Sequence, residues 1–130
     1  MKNTPHIPVS WGELLDKITI LEIKRERLTG EAALVNVGRE LEALRVIAAP
    51  GLADNAIARE LTARLKGLNE TLWDIEDRIR DKEAASAFDA DFVALARAVY
   101  KRNDERAALK KQLHLQLGSE LVEEKGYKSY

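Results

Sequence analysis

From Ile57 to Ile79 the chain sets an apolar residue at Ile57, Leu61, Leu65, Leu68, Leu72, Ile75 and Ile79, in steps of three and four without a slip of phase. That spacing fills one face of an α-helix and cannot lie on a strand, whose faces repeat every two residues. Asp54 and Asn55 both suit the N-cap, and the phase holds to about Ala85. At 1.5 Å per residue this helix is about 45 Å long, enough to span or overshoot a compact domain of about 100 residues. Such a rod requires an elongated bundle, or a second copy along its exposed seam.

The flanking segments read the same way. Residues 1–9 form an extended leader, because Pro5 and Pro8 disfavour helix. Ser10-Trp11-Gly12-Glu13 is a capping box that opens a helix running to about Thr29 and stopping at Gly30. Its apolar residues cover two flanks, which predicts neighbours on two sides. A second helix spans about Glu31–Ala49, with Pro50-Gly51 expected to end it. A fourth runs from about Phe92 to Leu117 and stops at Gly118; within the tail, 118–130, Glu120–Lys125 can add a short helix. The break at 86–91 is short enough to make the third and fourth helices an antiparallel hairpin, about 54–117. Leu72 then lies level with Asp104, and Glu70 with Arg106. The expected fold is an all-α, elongated antiparallel bundle over 10–117.

Charge offers a way to align that hairpin. Residues 70–91 hold eight acids against three bases, and residues 97–111 hold six bases against two acids. Set side by side, the two blocks would select a register, although each surface pair contributes only about 0–1 kcal/mol. Globally the charges sum to −1, so a bulk electrostatic grip on DNA or anionic lipid is not expected. Aromatics are 5% of the chain, which leaves no stacking platform and disfavours nucleic-acid binding. The absence of cysteine removes disulfides, thiolate metal sites and a cysteine nucleophile. No apolar run approaches the roughly 20 residues of a membrane span, and the polar start lacks a signal-peptide core. A cytoplasmic location is the default expectation.

Two constellations can carry chemistry. Glu13 and Asp16 share a face of the first helix, and Glu70, Asp74, Asp77 and Asp81 share one of the third. Carboxylates converging from several helices are how all-α nucleotide pyrophosphatases hold magnesium. Glu13, Asp16, Asp74 and Asp77 are therefore the metal candidates, against the plainer reading of a solvated acidic stripe. The second constellation is Lys101–Arg106, wholly polar in an otherwise apolar pattern. Asn103, Arg106 and Lys110 fall where seam residues belong, so they set register, mark projection into water, or line a site, in that order. Arg25, Arg102 and Arg106 would make an anion pocket if the bundle brought them together, with Asn103 and Asp104 alongside. There is no P-loop, dinucleotide fingerprint, zincin motif or nucleophile elbow.

Several blocks together resemble an uncharacterised bacterial family, domain of unknown function 6165. They are Val9–Lys24, Leu72–Asp77, Phe88-Asp89, Leu95–Tyr100 with Asn103–Arg106, and Leu117–Lys125. The resemblance spans nearly the whole chain outside about 31–60 and implies a stand-alone cytoplasmic protein, with no established activity and no catalytic residue to carry over. The functional expectation is a self-associating or partner-binding scaffold: a homo-oligomer or protein partner, no cofactor and no membrane. The alternative is a magnesium-dependent phosphohydrolase.

Overall fold

The computed structural model describes residues 3–130 and contains four helices and no strand among them. They are α1 (Trp11–Arg27), α2 (Glu31–Ala53), α3 (Ala56–Ala84) and α4 (Ala90–Leu117). The first two residues of the expected leader lie outside the described residues; Asn3–Val9 is exposed and non-helical. No helix among the described residues is long and apolar enough to cross a membrane.

Helix ends follow local chemistry. Asn55 and Asp89 cap α3 and α4 by accepting from the backbone N–H groups of Ala58 and Phe92 at 2.9 and 3.0 Å. Gly118 closes α4 at φ 67°, a left-handed position that costs glycine nothing. Ser10 caps α1 through the N–H of Glu13, yet the box closes differently from expectation. The Glu13 carboxylate accepts from Lys110 rather than from the Ser10 N–H, and the orphan N–H of Trp11 donates to Ser119 Oγ at 2.8 Å.

Two segments depart from the sequence reading. Pro50-Gly51 does not end α2, which continues to Ala53. Proline there forfeits a hydrogen bond near the helix end only, and Arg59 donates to the last carbonyls, Leu52 and Ala53, at 2.7 and 2.8 Å. The indole of Trp11 lies against Gly51, where a Cβ would fall 2.6 Å from the ring. The tail, for its part, forms no helix over 120–125. Six residues nucleate a helix poorly, and here they fold back along α4: Glu123 reaches Lys110, and the Tyr130 ring lies 5.1 Å from that of Tyr100.

α1 is the central element and touches the other three helices. Its Leu14, Leu15, Ile18 and Leu21 meet Val37 and Leu41 of α2, Leu61 and Leu65 of α3, and Leu109 and Leu113 of α4 in one core. The seam expected from Ile57 rotates at its start: Ile57 is 54% exposed and Ala58 takes the buried place, followed by Leu61, Leu65, Leu72 and Ile75. Leu68 and Ile79 are half-buried. α3 and α4 pack along each other across the short turn, which Lys82 spans to Asp89 at 2.9 Å. Ile75 and Leu95 are buried beyond the main core, in the distal half of this hairpin.

The charge blocks do not zip α3 to α4. No ion pair joins acids of 70–84 to bases of 97–111 among the described residues. Arg106 turns to Asp16 rather than Glu70, and Asp74 turns to Arg27. The acidic row lies at positions 70, 74, 77 and 81, off the buried seam at 72 and 75, so it points away from that seam.

Candidate functional site

Where α1, α3 and α4 meet, a polar network replaces apolar packing. Asp16 and Thr19 are one turn apart on α1, Asn69 is on α3, and the relative exposures of the three are 2%, 0% and 6%. Arg106 enters from α4 as a two-pronged donor, its Nε 2.9 Å from Asp16 Oδ1 and its Nη2 2.5 Å from Oδ2. Asn69 Nδ2 donates to Asp16 Oδ1 and to Thr19 Oγ1, each at 2.9 Å. The Thr19 hydroxyl in turn donates to the Asp16 carbonyl at 2.7 Å. The carboxylate thus accepts three hydrogen bonds, which is what allows a charge to sit at that depth. The Asp16 hydrogen bond raises the Arg106 pKa further above its usual value, against the opposing effect of burial.

A second layer ties in the tail. The Lys110 ammonium, 11% exposed, lies 2.9 Å from Glu13 and 2.6 Å from Glu123. Burial by itself lowers the Lys110 pKa; hydrogen bonds to Glu123 and then Glu13 outweigh it, and the net shift is upward. Lys110, and after it Lys125, hold the Glu123 carboxyl down at about 2. A polar recess of about 190 Å³ opens here between Glu13, Asn103, Arg106 and Glu123. On the other side of Arg106 a cleft of about 390 Å³ is lined by Ile20, Leu72, Trp73, Asp77 and Asn103. Arg27 stacks over Trp73 at 5.7 Å from the ring centroid.

The metal candidates are not gathered into one cluster among the described residues. Glu13 pairs with Lys110, Asp16 with Arg106 and Asp74 with Arg27, while Asp77 faces the cleft. No group of three or more His, Asp or Glu residues is placed to hold a metal ion among the described residues. The anion candidates disperse as well. Arg25 is exposed, Arg102 pairs with Glu105 at 2.9 Å on the outer groove, and only Arg106 faces inward. Asp104 stays on the surface, where it holds the Tyr130 phenol protonated to higher pH than usual. The sequence reading missed Thr19, Asn69 and the whole contribution of the tail. A signal existed for the first two: each is a lone polar residue at a buried phase of an apolar helix.

The tail's anchorage sets a pH dependence. The Glu123 pKa falls from 4.5 unfolded to about 2 folded, so its contribution is fully present above about pH 4.5 and disappears as pH drops through about 2. Amide resonances of residues 119–125 are expected to move toward unstructured values across that interval. In Glu123→Gln they are already displaced at neutral pH; an unchanged spectrum there would refute the anchor.

Together these features define an all-α domain in which a buried acid–guanidinium pair fastens a long helical hairpin to a central helix. The chain belongs to a family of unknown function (DUF6165), whose model matches residues 6–130. Comparison with curated proteins and with solved structures found no match.

Proposed function

We propose that the protein is a non-catalytic helical scaffold that works by docking a protein partner, with the distal α3–α4 hairpin as its arm. One observation carries this reading: Phe88, Val93 and Tyr100 are 59%, 53% and 44% exposed on a stretch that lies beyond the main core. Exposed apolar side chains occur on other helices too, Val46 and Ile47 of α2 among them, but those of the arm lie on a part that the chain's own core does not require, which suits association. The network around Asp16 supports it, because a fully satisfied polar cluster fixes three helices in one arrangement and so makes the arm rigid. The carboxylates that a metal-assisted hydrolysis would need are each neutralised by a cation of the chain, Asp77 apart.

The test is photo-crosslinking from the arm, with a photo-reactive residue at position 88 or 93. The expected outcome is a protein adduct that depends on arm position and is absent when the reactive residue sits at exposed Glu42 of α2. If neither arm position yields an adduct with any protein, its own chain included, the scaffold reading fails.

A further inference from the structure

The distal hairpin has two edges of opposite net charge, and among the described residues an ion pair within the chain engages just one acid of the first, Asp74, and neither base of the second, Arg97 or Lys101. On α4, Val93, Arg97, Tyr100, Lys101 and Asp104 fall within one outward face, at steps of four, three, one and three, turned away from buried Leu95, with two bases against one acid. The ring of Tyr130 lies beside Tyr100 on this face, and among the described residues no carboxylate pairs with Arg97 or Lys101. The other bases of the block, Arg106 and Lys110, are already engaged by Asp16, Glu13 and Glu123. On α3, Glu70, Asp74, Asp77 and Asp81, with Arg78 beside them, form the opposite edge, and among the described residues Asp74 alone of these acids has an ion-pair partner, Arg27.

Resting on the scaffold reading above, we propose that the arm's partner is a second copy of this chain, whose α3 edge (Asp77, Asp81) seats on the α4 edge (Val93, Arg97, Tyr100, Lys101). Charge selects this occupant and this arrangement. A two-fold contact of either edge with itself would set like charges face to face, whereas acidic edge against basic edge pairs them. Val93 and Tyr100 supply the apolar area, and the rim charges supply orientation. Because the two edges are different surfaces, the contact is heterologous: every copy offers one free edge of each sign, and assembly runs on to a ring or a chain rather than stopping at two.

Light scattering and sedimentation on the full chain test this. The wild-type protein is expected to gain mass with concentration and to lose it in high salt, since exposed ion pairs are screened. Arg97→Glu with Lys101→Glu, and separately Asp77→Lys with Asp81→Lys, are each expected to return the mass to monomer. Both should melt like wild type, because all four side chains are exposed. Mixing the two variants restores assembly, since a reversed α3 edge meets a reversed α4 edge. A wild-type monomer at every concentration, or a mixture that stays monomeric, overturns the proposal. A monomer whose arm crosslinks to a different protein overturns this inference alone and leaves the scaffold reading standing; a monomer without adducts overturns both.

Discussion

Asp16→Ala is expected to lower the unfolding free energy by about 3 kcal/mol, the low end for breaking a buried ion pair. The low end applies because the Arg106 side chain keeps 29% of its surface in water, while the Asp16 side chain keeps only 3%. Removing the carboxylate leaves the guanidinium without its anion and leaves Asn69 Nδ2 with Thr19 alone. For a chain of this size the change lowers the melting temperature by about 10 °C. Asp16→Asn keeps the volume but not the charge and falls between the two. The double variant Asp16→Leu with Arg106→Leu separates charge burial from packing. It recovers most of the loss, since apolar replacement of a whole buried pair is often neutral or better. Urea unfolding of the four proteins reads all of this. A cost under about 1 kcal/mol for Asp16→Ala would place the pair among ordinary surface bridges.

The same network shows what the sequence could and could not disclose. Helix boundaries were legible because they depend on neighbours in the chain: Asn55, Asp89 and Gly118 act within a few residues of themselves. The central role of α1 was legible from its two apolar flanks. Arg106 and Lys110 could be placed on the inner face by phase alone, but phase does not name the partner. Opposite charges on adjacent helices suggested α3, and the structure assigns α1, because the acidic row of α3 points outward. Asn69 and Thr19 went unnoticed since a single polar residue in an apolar stripe says nothing of what it meets 50 residues away. Pro50 was misread for a related reason: the carbonyls beyond it are capped by Arg59, on the next helix. The tail was the least legible segment, because its conformation is set by Lys110, Trp11 and Tyr100 rather than by its own propensity.

Gly12→Ala is expected to destabilise the protein by about 2 kcal/mol net, even though alanine is the better helix former by about 1 kcal/mol. At Gly12 the backbones of α1 and α4 approach closely: a Cβ on it would lie 2.5 Å from the Lys110 carbonyl oxygen and 3.0 Å from the Lys110 carbonyl carbon and Cα. Those are backbone atoms in the middle of a helix, so no rotamer change relieves the clash. The helices must separate, and their separation pulls Glu13 from Lys110 and Asp16 from Arg106, the pairs the approach makes possible. Gly67 of α3 is the matched comparison, a helix-interior glycine whose added Cβ meets nothing within 4 Å. Gly67→Ala therefore stabilises by about 0.5–1 kcal/mol, by propensity alone. The opposite signs are the point of the pair, because any general effect of trading glycine for alanine moves both variants the same way. Equal stabilisation of the two would mean that α1 and α4 do not touch at Gly12. In that case Lys110 and Arg106 would lose the close approach that lets α4 reach the carboxylates of α1.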